Sequence, residues 1–152
     1  MAEMTADLAR GRARLDELFG PRLLPVLAPP WNRLPAPLIR ELPAVGLFGL
    51  SRFKPRKTRS PAPGVVEVNT HIDPIDWHGG RGFTGEVAAL GAIAAHLAAR
   101  RTGRADPTEP TGLLTHHLVH DQALDGFLDR LMAHFAAHPA VIWPDLQTVF
   151  AA

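Results

Sequence analysis

Apolar and polar positions alternate along the chain in blocks, and the period inside each block predicts its structure. Between Thr5 and Phe19, Leu8, Leu15, Leu18 and Phe19 fall on one face at helical spacing. Arg10, Arg12, Arg14, Asp16 and Glu17 fill the rest. This predicts an amphipathic helix over 5–19, N-capped by Thr5 and stopped by Gly20-Pro21. Leu23–Ala28 and Val45–Leu50 are apolar runs of strand length, the first interrupted by Pro25 and the second by Gly46 and Gly49, so they predict twisted or edge strands. Pro37–Leu42 lies between them as a short helix, and the β-branched run Val65–Asn69 predicts a buried strand. Glu86–Arg101 predicts a helix with Val87, Leu90, Ile93, Ala94 and Leu97 inward. Thr111–Thr115 predicts a strand, and Asp121–Ala137 a helix carrying Leu124, Phe127, Leu128, Leu131, Met132 and Phe135 at helical spacing. Val141–Trp143 closes the series as a short strand before a turn at Asp145–Phe150.

Strand-length runs alternating with helices argue for a parallel α/β architecture. No internal repeat and no long linker divides the chain, so 1–152 is expected to be a single domain or part of one. Three of the predicted strands end in polar clusters: PPWNR at Pro29–Arg33, HIDPIDW at His71–Trp77, and LLTHH at Leu113–His117. In a parallel sheet or barrel, successive strand C-termini share one face, so these clusters could converge.

Each cluster has a plain structural reading beside the functional one. Asp73 can open an Asx-turn before Pro74, Asp76 can cap the next turn, and Trp77 can fill core. Against that, two carboxylates three apart beside a Trp are costly to bury unless they orient something. His116 and His117 can be ordinary satisfied imidazoles, and the spacing of either to His120 is ligand-like only on a helix. His134 and His138 complement a helix C-terminus. The run Arg52, Lys54, Arg56, Lys57 and Arg59 reads as a solvated loop or as a contact for an anionic ligand.

Composition narrows the classes. Hydrophobic residues make up 46% and charged residues 20%, which is globular, and a net charge of +1 implies neither nucleic acid nor an anionic membrane as partner. The absence of Cys excludes disulfides and thiolate metal sites, leaving only the eight His and the carboxylates as metal donors. The loop His78–Gly82 matches no phosphate-cradling fingerprint. The opening segment MAEMTADLARGRARL has no apolar core of signal-peptide length, so a cytoplasmic protein is expected.

PPWNR, DPIDW and LLTH, in that order at strand ends, resemble the last three signature motifs of the polysaccharide deacetylases of carbohydrate esterase family 4. The likeness is greatest to a bacterial branch with NTHIDPIDW and GLLTHHLVHD, and it runs from about Leu23 to Phe150. The resemblance implies the C-terminal half of a distorted (β/α) barrel. It also implies hydrolysis of N-acetyl groups on amino-sugar glycans, a carbon–nitrogen bond that is not a peptide. In that scheme Arg33 orients the catalytic base. Asp76 holds the imidazole of His116, and His116 acts as general acid toward the departing amine. Trp31 and Trp77 wall the sugar groove, and Leu113 lines the acetyl pocket. A carboxylate that fixes an imidazole's tautomer keeps a proton aimed at the leaving group, so the scheme is chemically coherent.

The family's first two motifs, an Asp-Asp pair and a His-x-x-x-His segment, have no counterpart in this sequence. They supply the base and a zinc-type divalent metal site, so the resemblance implies no metal ligand within this chain. A separate N-terminal half would have to complete the enzyme, and an isolated half barrel, with unpaired edges, would self-associate. The alternative is a non-catalytic homologue that uses Trp31, Trp77 and the basic loop to bind a glycan or a protein. A third possibility is a self-contained His/Asp metal protein built from His71, Asp73, Asp76, His116 and His120.

Overall fold

The computed structural model describes residues Met1–Ala151, apart from the side chain of His117. The chain divides into two compact units: Met1–Asn69 together with the C-terminal segment from Asp145, and Thr70–Pro144. Among the described residues no helix is long and apolar enough to cross a membrane.

The first unit opens with helix α1, Ala2–Phe19, which buries none of its residues fully. The helix starts three residues before the expected cap, so Thr5 lies inside it and donates its hydroxyl to the Met1 carbonyl at 3.2 Å. Arg12–Asp16 and Arg14–Glu17 are ion pairs at 3.0 Å, and Asp7 pairs with Arg10. All lie along solvent, where such pairs add only tenths of a kcal/mol, about 0.2–0.5 each. Leu8 of this helix packs against the core of the unit, which is built from Ile39, Leu42, Leu47, Leu50, Ala62 and Val65, as do Leu27, Leu34 and Val45.

Three strands follow: β1, Val26–Leu27; β2, Gly49–Leu50; and β3, Val66–Glu67. Helix α2, Ala36–Ile39, lies between β1 and β2 and contributes the buried Leu38 and Ile39. The strands pair in parallel in the order β1-β2-β3, with Leu27 opposite Leu50 and Leu50 opposite Glu67. Helix α5, Leu146–Val149, is N-capped by Asp145, whose carboxylate accepts from Thr148 N–H at 3.0 Å.

This overturns the expected half barrel. The described strands form one small open sheet, and each is only two residues long. Thr111–Thr115 is not a strand; it makes a single parallel bridge, Leu113 to Ile72. Val141–Trp143 is irregular, with Ile142 86% exposed, and it sits between Pro139 and Pro144, which cannot donate to a ladder. Proline has the same effect near β1, where Pro25 precedes the strand and Pro29 and Pro30 follow it. Three of the five expected strand runs, Leu23–Ala28, Val45–Leu50 and Val65–Asn69, each contain a strand, but only two residues of each pair.

Side chains do much of the joining at the C-terminal ends of these short strands. Glu67, only 1% exposed, receives Arg52 at 2.7 and 2.8 Å and the Asn69 amide at 3.0 Å. Asn69 Oδ1 accepts from Arg52 N–H at 2.8 Å while its Nδ2 donates to the Lys54 carbonyl. Buried Arg56 donates to the Glu67 carbonyl at 2.8 Å. Asn32, in a left-handed conformation, accepts from Phe53 N–H at 2.8 Å and so ties the turn after β1 to the loop after β2. A buried carboxylate is tolerable only with this many donors.

In the second unit, helix α3, Glu86–Arg101, and helix α4, Gln122–Ala137, enclose a core of Ile72, Ile75, Ala89, Ile93, Leu124, Phe127 and Leu131. Asp121 N-caps α4 by accepting from Leu124 N–H at 2.7 Å and also receives Phe83 N–H at 3.1 Å. These bonds to the charged form hold its carboxyl below the usual carboxylate range. The inward face of α3 is not the expected one. Ala89, Ile93 and His96 are buried, while Val87 is 89% exposed and Leu90 and Leu97 also face outward.

Two substitutions probe the first unit. A Cβ at Gly49 would stand 2.6 Å from Val26 Cγ2 and 2.9 Å from Phe150 Cδ1. Gly49→Ala is therefore expected to lose about 1–3 kcal/mol by overpacking. Glu67→Gln removes the charge that compensates Arg52 and is expected to cost about 3 kcal/mol, the low end for a broken pair because Arg52 is partly solvated. Urea unfolding checks both, and wild-type midpoints for either variant would contradict these assignments.

Candidate functional site

The polar segment after Asn69 is shaped by its own side chains. Asp73 Oδ1 accepts from Ile75 N–H at 3.0 Å across Pro74, which forms an Asx-turn. Ile72, Pro74 and Ile75 are buried, and this leaves the Asp73 carboxylate near the surface with 16% of its side chain exposed. Its second oxygen, Oδ2, takes two side chains at once. The Trp77 indole Nε1–H donates to it at 2.8 Å, and His116 Nε2 lies 3.2 Å away. Trp77 and His116 meet edge to face, with centroids 4.7 Å apart at 85°. His116 reaches this position because Leu113 bridges Ile72, and Leu114 N–H donates to the Ile72 carbonyl at 2.8 Å.

The carboxylate partner of His116 is thus Asp73, where Asp76 was expected. Asp76 is exposed and accepts the backbone N–H groups of His78 at 3.1 Å and Gly79 at 2.9 Å, which folds the glycine-rich loop back on itself. A Cβ at position 79 would come within 2.1 Å of Asp76 Oδ2, so a side chain there would displace the Asp76 carboxylate from these bonds. Asp76 therefore serves as the turn cap of the plainer reading.

The remaining expected residues divide between the units. Leu113 is half-buried and packs against the core of the second unit. Trp31 and Arg33 belong to the first unit. Trp31 occupies a tight turn over Pro30–Asn32 with φ 56° and is 86% exposed, and Arg33 is exposed beside it. Two hollows in that unit, about 650 and 450 Å³, are mainly apolar, and neither is lined by Trp31 or Arg33. His120 pairs with Asp125 at 2.9 Å, and the side chain of His117 lies outside the described residues.

Sequence reasoning missed a second cluster in the same unit. His71, with its side chain 1% exposed, accepts from Gly112 N–H through Nδ1 at 3.0 Å. Its Nε2 stands 3.1 Å from Glu109 Oε2, off the line of a good hydrogen bond. His96 stacks on the His71 ring at 3.9 Å and 23°, and its buried Nε2 finds no hydrogen-bond partner among the described residues. Burial, helped by His71 and Arg100, lowers the His96 pKa to about 4, against a smaller opposing pull from Glu109. The available signal is the i, i+4, i+7 spacing of Ala89, Ile93 and His96, hidden by the more apolar Val87, Leu90 and Leu97.

Among the described residues, no three His, Asp or Glu side chains are grouped so as to hold a metal ion. The donors His71, Asp73, Asp76, His116 and His120 accordingly do not assemble into the self-contained metal centre considered from sequence. The zinc-type ion of the complete deacetylase scheme finds no fitting donor set here either. No family model, curated protein or solved structure matches the chain. The deacetylase reading therefore rests on its three motifs.

The His96 shift fixes a sign for acid stability. An imidazole lowered from 6.5 to about 4 on folding is neutral in the native state where the unfolded state already takes up a proton. Its contribution is full above about pH 6.5 and is lost as pH falls toward 4. Urea midpoints measured from pH 7 to 4 should fall, and His96→Phe should flatten the decline. A decline unchanged by that substitution would place the acid sensitivity elsewhere.

Proposed function

We propose that the chain is a polysaccharide deacetylase-like protein acting on an amino-sugar glycan, with Asp73 and His116 as its proton-handling pair. The observation that carries this reading is the shared Asp73 Oδ2, which receives both the His116 imidazole and the Trp77 indole. An imidazole held through Nε2 has Nδ1 left to exchange a proton, and an adjacent carboxylate keeps that tautomer and orientation. In N-acetyl hydrolysis His116 Nδ1–H would pass its proton to the departing amine nitrogen while Nε2–H stays on Asp73. Trp77, 39% exposed, offers an indole against which a sugar ring can lie. Asp76 supports the site only through the glycine-rich loop.

Activation of the attacking water needs groups that are not assembled among the described residues, so the pair alone supplies one part of the reaction. A second reading, a glycan-binding module without catalysis, is favoured by the exposure of Trp31 at 86%. Acetate release from acetylated chitooligosaccharides separates the two readings. The chain alone is expected to release none, and activity should require a fragment bearing Asp-Asp and His-x-x-x-His. In that combination His116→Ala and Asp73→Asn are each expected to lower turnover about 100-fold or more, while Asp76→Asn has a much smaller effect. Binding of the oligosaccharide, read by Trp fluorescence, without acetate release in any combination would favour the module. Asp76→Asn as damaging as Asp73→Asn would show that the wrong carboxylate has been assigned.

A further inference from the structure

In the second unit the segments around Ile72 and Gly112 are joined by backbone and side-chain bonds. His71 N–H and Ile72 N–H both donate to the Gly112 carbonyl, at 2.8 and 3.1 Å, and Leu114 N–H donates to the Ile72 carbonyl at 2.8 Å. A further bond is made by a side chain, from Gly112 N–H to His71 Nδ1 at 3.0 Å. Asp73 lies two residues beyond His71, and His116 two residues beyond Leu114. The alignment of that pair is therefore set by the register of these two segments.

The imidazole bond constrains protonation. Nδ1 can accept from Gly112 only while it carries no proton, which places the His71 proton on Nε2, facing Glu109. His96, from α3, covers the face of the His71 ring and has its own Nε2 buried without a partner. The charged and titratable groups facing His96 are His71 from the paired segment, Arg100 from its own helix, and Glu109 from the connector after α3. Arg100 is fixed in place by bonds to Thr111 Oγ1 at 3.0 Å and the Pro107 carbonyl at 2.8 Å, so its charge cannot swing away easily.

We propose that the buried His71–His96 stack is a proton-sensitive positioning device, which holds the Ile72 and Gly112 segments in register while both rings are neutral and releases them when His96 takes up a proton. An imidazolium at position 96 would be a desolvated cation against His71 and beside Arg100, with Glu109 as its one opposing charge. The cheapest relief is for the ring to leave the stack. His71 then loses the cover that keeps its Nε2–H facing Glu109 and its Nδ1 on Gly112. The device acts on the placement of Asp73 and His116, whatever reaction they serve. The lowered pKa of His96, about 4, puts the release in moderately acid solution.

Amide hydrogen exchange on the full chain tests this, with intrinsic rates corrected for pH. Between pH 6.5 and 4.5 the Gly112 and Leu114 amides should lose protection roughly tenfold or more beyond any loss at Leu131 in α4. His96→Phe, which keeps a stacking ring without a titrating nitrogen, should abolish that excess loss, and His96→Gln should do the same. Wild-type Gly112 and Leu114 amides that stay protected until α4 itself opens would overturn the proposal. So would an equal excess loss in wild type and His96→Phe. The wild-type comparison decides the matter even if both variants fail to fold.

Discussion

A buried donor or acceptor is costly without a partner, and strands two residues long cannot provide many of them. Side chains make up the deficit. In the first unit Glu67 collects Arg52 and Asn69, while Asn69 and Asn32 accept the backbone N–H groups of Arg52 and Phe53. In the second unit His71 accepts from Gly112, Asp73 from Ile75, and Asp121 from Leu124 and Phe83. The same physical requirement thus produces both the scaffold of the strand ends and the polar cluster read as a site. Where hydrogen bonds are carried by side chains, protonation and substitution reach the backbone directly.

That arrangement also explains what could be read from the sequence. Helix α3 has the expected limits, and α4 starts one residue after its expected position, because period and capping are local properties carried by Asp121 and the flanking residues. The apolar runs around Val26, Gly49 and Val66 were visible as strands, but their extent depends on long-range pairing that prolines cut short. The half barrel is what the resemblance implies, while alternation argues only for a parallel α/β arrangement: it says which elements occur and not how many strands pair. Leu113 makes one bridge to Ile72, and Val141–Trp143 remains irregular.

The site was legible in its residue types more than in its pairings. His116 and Trp77 do come together, but around Asp73, and the spacing of Asp73 and Asp76 could not distinguish them. Pro74 stiffens the turn at Asp73, whereas Asp76 stands next to glycines whose free N–H groups claim its carboxylate. Glu109 and His96 escaped notice for a related reason. Glu109 lies in the polar stretch 103–110, which shows no period, and His96 lies on a helix whose more apolar Val87, Leu90 and Leu97 suggest another face; only the folded packing shows that the stack on His71 is the buried one. The Asp73–His116 pair and the buried stack meet in a single pair of segments, so the placement of the pair and the stability of the unit draw on the same bonds.

Asp73 Oδ2 serves two donors, and this has a consequence for how the protein can change. A substitution at position 77 that removed the indole N–H would leave the carboxylate freer to rotate and so alter the imidazole it holds. A glutamate at position 73 would lengthen the arm and misplace both partners together. Positions 73, 77 and 116 should therefore vary as a set among descendants of this sequence, so that an inherited replacement at one survives only with a compensating replacement at the others. A side chain at position 79 would displace the Asp76 carboxylate, so exchanges in the neighbouring loop also act on the turn that Asp76 caps.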